Sequence, residues 1–385
     1  MRIAIFWNYL YHYRIPFYEK LGQVPGIEVT VFHGGFENSK NNIKQNALEH
    51  YFRSIKIKTR EINCFGAVIY FQTCMWKILF SNRYDAIVCE GNFGILSNLL
   101  IALYSKIMRI RFLYWAAGWE RGRIKGLPAQ LRKLYIKITA RLADGYLCYG
   151  SNSRTFLVKH GVDPGKCTIV QNTIDTDRIL EEYQDYQSHI SSAKESLKLG
   201  QKKVILSVGR LIPNKRLDLL IHAFHIVRMK HKDVCLIIIG DGQERDKLVE
   251  ITKKKVIPDV FFFGSIINGV GQYFALSDIF VLPGTGGLAI NEAMAYGLPV
   301  ICSEADGTEK DLVINGLTGS FFKKGDVYDL AAKIEEILIS DDVLEKMRKA
   351  SREHIYKVAS MPIMVESFLG ALLRSEKKYQ WLDKP

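Results

Sequence analysis

The sequence predicts two doubly wound α/β domains, each a parallel sheet covered by helices on both faces. Three observations carry this reading. The chain is 385 residues long, more than one hydrophobic core organises. Short apolar runs alternate with helical patterns from end to end. A polar stretch near the middle has no strand pattern. Strands are predicted over 2–7, 27–33, 86–89, 111–115, 145–149 and 168–171, then over 204–208, 234–239, 260–263, 279–282 and 300–302. Their unbroken apolar character is that of strands buried on both faces. The stretch 173–200, rich in Glu, Gln, Ser and Lys, is read as the linker, which makes the first domain 1–172 and the second 201–361. Residues 362–385, which begin at the helix-breaking Pro362, are expected to form a helix that packs back on the first domain.

Composition narrows the class. With 48% apolar and 24% charged residues and only 10 prolines, the chain is neither disordered, collagen-like nor of low complexity. Its 7 cysteines are an odd number, widely spaced and without a C-x-x-C pair, which reads as reduced core thiols in a cytoplasmic protein. Residues 1–14 read as a first strand, not a signal peptide. The richest apolar run, 94–104, is about half of the roughly 20 residues a spanning helix needs. A cytoplasmic protein without a membrane span is expected.

The net charge of +13 is uneven: residues 1–190 hold 25 Lys/Arg against 15 Asp/Glu, and residues 191–385 hold 28 against 25. Between Ile101 and Arg141 there are 10 basic residues and 1 acid, Glu120. Within this basic segment, 101–141, helical spacing puts Leu131, Leu134, Tyr135, Ile138 and Leu142 on one face, opposite Arg132, Lys133, Lys137 and Arg141. Such a helix either rests on anionic lipid or is a surface helix with its apolar stripe in the core. No helix-turn-helix, zinc-finger or RNA-binding signature accompanies the charge, so nucleic acid is not expected as a partner.

Two segments carry chemistry. In 204–224 a buried strand runs into Gly209, a basic loop and a helix, which puts Arg210 and Lys215 at a strand's carboxyl end. Ligands of open parallel sheets bind there, where strand order reverses, and cations at that place suit phosphate. In 279–302 another buried strand runs into Pro283 and a glycine loop before a helix that contains Glu292. As the fourth strand of its domain it would lie beside the first, so both loops would line one cleft. Gly284, Gly286 and Gly287 let a ligand approach the backbone, amides of Gly287, Leu288 and Ala289 can hold a diphosphate, and Glu292 can accept bonds from ribose hydroxyls.

Other patterns compete. Residues 284–289 fit the dinucleotide fingerprint with Glu304 further on, but that fingerprint normally opens the first unit of its domain and leaves Arg210 and Lys215 without a purpose. Asp175 and Asp177 resemble a metal-holding aspartate pair, yet read more simply as a turn with a helix cap. His222 and His225 have no third ligand nearby in sequence. No metal is expected.

The motifs VGRLIPNKRLDLLIHAF (208–224), IIIGDGQERDKL (237–248), FVLPGTGGLAINEAMAYGLPVI (280–301) and GTEKDLVINGLTG (307–319) resemble, in order and spacing, those of glycosyltransferase family 4, the retaining sugar transferases of the GT-B fold. Residues 142–175 look like that family's approach to its interdomain linker. The resemblance implies two Rossmann-like domains facing a central cleft. It implies a nucleotide-diphosphate sugar as donor substrate, bound mainly by the second domain, and no cofactor or obligatory metal. Arg210 and Lys215 would then neutralise the leaving diphosphate and Glu292 would bind the ribose. Gly209, Gly242, Gly264, Gly284 and the run Gly286, Gly287, Leu288, Ala289 would line the donor. The acceptor would be lipid-linked or a polysaccharide precursor, and the protein peripheral on the inner face of the cell membrane.

The chain departs from the family in two places. Of the usual two glutamates separated by seven residues, Glu292 is the second and the first falls at Gly284, leaving Glu309 and Glu304 as candidates to compensate. The frequent histidine near the end of a first-domain strand is absent from 114–120, where Glu120 is the candidate on the acceptor side. Further candidates there are Tyr13 and Arg14, in the aromatic loop after the first strand, and Glu90, each with packing as the alternative. A nucleotide-sugar 2-epimerase and a non-catalytic sugar-nucleotide scaffold are the competing functions.

Overall fold

The computed structural model describes residues 1–35, 51–64, 67–72, 84–91, 95, 97–116, 127–305 and 307–373. The chain forms two compact units: Met1–Asn172 with Met361–Pro385, and Thr173–Ser360.

Unit 1 is built on a seven-stranded, all-parallel sheet. Its strands are β1 (Arg2–Trp7), β2 (Glu28–His33), β3 (Phe52–Lys56), β6 (Ala86–Glu90), β7 (Arg111–Ala116), β8 (Gly145–Cys148) and β9 (Cys167–Ile169), in the order β3-β2-β1-β6-β7-β8-β9. An antiparallel hairpin, β4 (Thr59–Cys64) and β5 (Ala67–Gln72), stands apart from it. Both sheet faces are buried. Ile3, Ile5 and Trp7 enter one core while Ala4 and Phe6 enter the other, which is why these strands read as continuous apolar runs. The edge strand β3, sequence FRSIK, escapes that pattern because only Phe52 is fully buried.

Unit 2 has six parallel strands: β10 (Lys203–Val208), β11 (Val234–Ile239), β12 (Val260–Phe262), β13 (Ile279–Leu282), β14 (Val300–Cys302) and β15 (Gly319–Phe321), in the order β12-β11-β10-β13-β14-β15. Order therefore reverses between β10 and β13, which pair directly through Ile205↔Ile279 and Leu206↔Phe280. The helix Leu217–Lys230 covers one face by burying Leu217, Leu220, Ile221, Phe224 and Val227, a 3.6-residue stripe.

Three expectations need correction. The stretch 173–200 is not a linker but two helices of unit 2, Thr176–Gln187 and Ile190–Ser196, with Ile179, Tyr183 and Leu199 buried in its core. Its polar composition reflects amphipathic helices with one wet side. The helix Leu127–Leu142 turns only part of the predicted apolar face inward: Tyr135 and Leu142 are partly buried. Ile136 and Thr139 are buried, while Leu134 and Ile138 stay exposed beside Lys133, Lys137 and Arg141. The C-terminal helix starts at Met361 with Pro362 in its first turn, where a missing N–H costs nothing.

By length and composition the stretch Asp341–Leu373 could cross a membrane. In the fold it is two helices, Asp341–Val358 in unit 2 and Met361–Leu373 in unit 1. The second sets Phe368 edge-on to Phe17, with ring centroids 5.2 Å apart, and 5.3 Å from Trp115. Five cysteines, Cys89, Cys148, Cys167, Cys235 and Cys302, are buried free thiols.

Phe368 is fully buried at this junction, so Phe368→Ala is expected to destabilise unit 1 by about 3–5 kcal/mol. Urea unfolding followed by tryptophan fluorescence, through Trp7 and Trp115, measures it.

Candidate functional site

The carboxyl edge of the second sheet gathers most of the residues singled out above. After β10, Gly209 leads into a 3-10 turn, Pro213–Lys215. After β13, Pro283 leads into residues 284–287 and the helix Leu288–Ala295. The two loops meet across the reversal point: the Thr285 amide donates to the Asn214 carbonyl at 2.9 Å. The approach is so close that a Cβ on Gly284 would lie 2.0 Å from the Asn214 oxygen and 2.7 Å from Lys215 Cα. A side chain at 284 would require the Asn214–Lys215 backbone to shift, so this loop geometry suits the glycine found there.

Lys215 locks this contact. Its Nζ donates to the carbonyls of Thr285 at 2.8 Å and Gly286 at 2.7 Å. The ammonium thus stands at the start of the helix Leu288–Ala295, 3.9 Å from where a Cβ of Gly287 would be. Gly287 is the N-cap, at φ +135°, and no side chain among the described residues caps the helix, which leaves backbone amides at this tip beside a fixed cation. Arg210 is exposed at the end of the same strand, and its guanidinium makes no hydrogen bond or ion pair with a described residue. The neighbouring strand ends pack backbone on backbone. A Cβ on Gly240 would lie 1.9 Å from the Gly209 oxygen, one on Gly242 2.4 Å from the Leu211 oxygen, and the Gly240 amide donates to Gly264 at 2.7 Å. Gly240, which sequence reasoning passed over, belongs to this ledge as much as Gly209, Gly242 and Gly264 do.

Glu292 lies in the helix that begins at Leu288, half-buried, with no hydrogen bond or ion pair to a described residue. Burial pushes its carboxyl up to about 7, with Arg178 pulling it down and Glu182 pushing it up. Both neighbours come from the helix Thr176–Gln187. Arg178 Nε is 3.5 Å from Glu182, and the Tyr296 hydroxyl donates to Glu182 at 2.9 Å. The sequence signal for this pair was the i,i+4 spacing of Arg178 and Glu182 behind a helix cap, hidden by reading the stretch as a linker. A half-buried carboxylate with open acceptor sites suits vicinal hydroxyls.

The remaining carboxylates are committed elsewhere. Glu309 is buried and accepts from the amides of Ala305 at 2.7 Å and Gly307 at 3.0 Å, so it organises its own loop. Glu304 is exposed and pairs with Lys310 at 3.0 Å. Neither is free to stand in for a glutamate at 284. Asp175 caps a helix by accepting from the Arg178 amide at 3.3 Å.

The first sheet has its own reversal point, between β1 and β6. Glu90, at the end of β6, accepts from the Asn8 amide at 2.9 Å, and burial raises its carboxyl while that bond and Arg14 lower it. For Arg14 the sequence left two readings, an acceptor-facing one and a packing one, and the structure takes the second in place of the first. It is 2% exposed, its guanidinium 4.5 Å from the Trp7 ring and 4.4 Å from the Trp115 ring, and it donates to the Tyr149 hydroxyl at 2.7 Å. Arg14 ties together the ends of β1, β7 and β8 from inside. Tyr13 is half-buried and stacks on Tyr11 with centroids 5.5 Å apart. Glu120 lies outside the described residues.

Residues 190–354 match the family model described as glycosyl transferases group 1, and residues 21–178 match the one described as glycosyltransferase family 4. An uncharacterized glycosyltransferase of Haemophilus influenzae is 30% identical over 162 residues, which are 41% of this chain and only 46% of that protein. A capsular polysaccharide biosynthesis glycosyltransferase of Staphylococcus aureus is 29% identical over 315 residues, 78% of this chain and 80% of its own length. Among solved structures, the Anabaena protein HepE in complex with UDP has a TM-score of 0.74 at 18% identity, covering 97% of this chain and 100% of that one. At that identity the likeness is one of fold.

Two outcomes follow from this geometry. Gly284→Glu, which would install the missing carboxylate, is expected to cost about 1–3 kcal/mol of stability because it drives the two loops apart; thermal unfolding beside the wild type measures it. A carboxyl whose folded pKa is raised stabilises the fold below its unfolded value, near 4.5 for Glu292, and loses that contribution as pH rises through about 7. Glu292→Gln is therefore expected to gain about 2–3 kcal/mol over the wild type between pH about 5 and about 8, read from urea midpoints at the two pH values.

Proposed function

Because the chain belongs to the GT-B glycosyltransferases of group 1 and family 4, we propose that it transfers a sugar from a nucleotide-diphosphate donor to a lipid-linked or polysaccharide-precursor acceptor, with retention and without a metal. The observation that carries this reading is the Lys215 ammonium clamped by two carbonyls at the uncapped helix tip of Gly287. Charge develops on the leaving diphosphate as the glycosidic bond breaks. A cation and amides already fixed in place stabilise that charge without reorganising, which is the work a metal would otherwise do.

In this reading the diphosphate lies against Lys215 and the amides of Gly287, Leu288 and Ala289, and the exposed Arg210 swings onto it. Glu292 accepts from the ribose hydroxyls, and the donor lies along the strand ends at Gly209, Gly242 and Gly264. The leaving phosphate oxygen takes the proton of the acceptor hydroxyl on the face it departs from, so configuration is retained. Unit 1 supplies the acceptor side through Tyr13 and Glu90, with Arg14 as the internal clamp that holds their loops. The Staphylococcus relative is named for capsular polysaccharide biosynthesis, which supports a polysaccharide-precursor acceptor.

Purified protein mixed with candidate nucleotide sugars and glycolipid or oligosaccharide acceptors is expected to release nucleoside diphosphate, equally in the presence of a chelator, and to give a product with the donor's anomeric configuration by NMR. Lys215→Met is expected to lower turnover about 10²–10³-fold while Arg210→Ala weakens donor use. Unchanged turnover in Lys215→Met that keeps the wild-type fold by circular dichroism refutes the assignment. Conversion of the donor alone, with no acceptor, identifies an epimerase instead.

A further inference from the structure

Among the described residues, five that are not glycine hold a left-handed backbone, at φ between +49° and +60°: Arg109, Lys198, Arg216, Val256 and Asp259. An L side chain disfavours that region. Four of the five stand in turns that lead into strands. Arg216, at φ 53° and ψ 40°, instead follows Lys215 directly and joins the turn Pro213–Lys215 to the helix Leu217–Lys230. Its amide donates to the Pro213 carbonyl at 3.2 Å, which closes the turn, and its carbonyl accepts from the Leu219 amide at 3.0 Å, which opens the helix.

The Arg216 side chain is pinned within two residues of that backbone. Its Nε donates to Asp218 Oδ1 at 3.1 Å and its Nη2 to Oδ2 at 3.2 Å, a two-point pairing of planar groups that fixes orientation as well as charge. Both side chains are partly exposed, so the pair adds little to global stability. The preference it opposes is of comparable size, because only one residue in the turn is left-handed. Asp218 also lies within charge range of His222, one turn along the helix, and of Lys247.

We propose that Arg216 and Asp218 are a positioning pair for Lys215. The left-handed turn at Arg216 sets the direction in which the preceding side chain leaves the backbone, and Lys215 must leave it so that its ammonium reaches the carbonyls of Thr285 and Gly286, at 2.8 Å and 2.7 Å. Relaxation of Arg216 to negative φ reorients the peptide between 215 and 216 and takes the lysine out of register with the tip of Leu288–Ala295. Glycine would hold the same turn without help. With arginine there, Asp218 does the holding. This role rests on the transfer reading, in which Lys215 meets the leaving diphosphate, and Asp218 acts in it only through its neighbour.

Asp218→Ala is expected to lower kcat about fivefold with the donor KM nearly unchanged, because the charge that Lys215 meets is greatest as the bond breaks. Affinity for inorganic pyrophosphate, a probe independent of the donor's base and sugar, is expected to fall by a similar factor in a phosphorus NMR titration. Adding Arg216→Gly to Asp218→Ala is expected to restore both. Were Asp218 serving the helix end, His222 or Lys247 through its charge, the glycine would rescue nothing. Asp218→Asn, which keeps the side chain's shape, is expected to show the same pattern of loss and rescue, and replaces Asp218→Ala if that variant melts below the wild type. An Asp218→Ala variant as active as the wild type, or a double variant as slow as Asp218→Ala, overturns the proposal and leaves the transfer reading standing. A wild type that neither binds pyrophosphate nor transfers sugar overturns the transfer reading and this role with it.

Discussion

The carboxyl edge of unit 2 depends on one contact, the Lys215 ammonium held between the carbonyls of Thr285 and Gly286. It joins two loops that leave the sheet on opposite sides of its reversal point, and the join is tight enough that a side chain at Gly284 would require the Asn214–Lys215 backbone to shift. Much else follows. The cation is fixed before any ligand arrives, its position at the tip of Leu288–Ala295 adds to the partial positive charge of that helix end, and the backbone around it is bare. An ammonium ordered in advance stabilises a developing anion better than one that must be desolvated and placed during the reaction.

Seen from this contact, glycine at 284 suits the loop and is not a loss to be repaired nearby. The loop that would carry it is pulled onto Asn214 and Lys215, while Glu309 is occupied with the amides of its own loop and Glu304 with Lys310. Glu292 is half-buried and its carboxylate bonds to no described residue; burial raises its carboxyl first, and Arg178 and Glu182, from a helix outside the glycine motifs, add opposing smaller effects. Unit 1 solves a different problem. Its loops at the β1 and β6 ends are held by the Asn8–Glu90 bond and by Arg14, buried between two tryptophan rings. An arginine in that position stiffens the edge from beneath and leaves Tyr13 nearer the surface.

Both doubly wound sheets, their central strands, and the pairing of the loops after β10 and β13 were legible in the residues. Strands buried on both faces must be continuously apolar, and strand order in such sheets is restricted. Of the four edge strands, β9 and β12 were legible from their apolar runs and β3 and β15 were not, because FRSIK and GSF carry too few apolar residues to show a strand pattern. The helices within 173–200 were missed because a polar composition conceals a narrow apolar stripe such as Ile179 and Tyr183.

Residue order alone determined that Arg210, Lys215, Gly287 and Glu292 belong to one sheet edge, since each follows a buried parallel strand within a short loop or the first turns of a helix. Only the tertiary structure decided what each side chain does there. Lys215 turned to two carbonyls, Glu309 to its own backbone, Arg14 inward and Leu134 outward, and each choice follows from neighbours distant in sequence. Periodicity says which residues share a face; which face meets the core is settled by the packing of the elements around it.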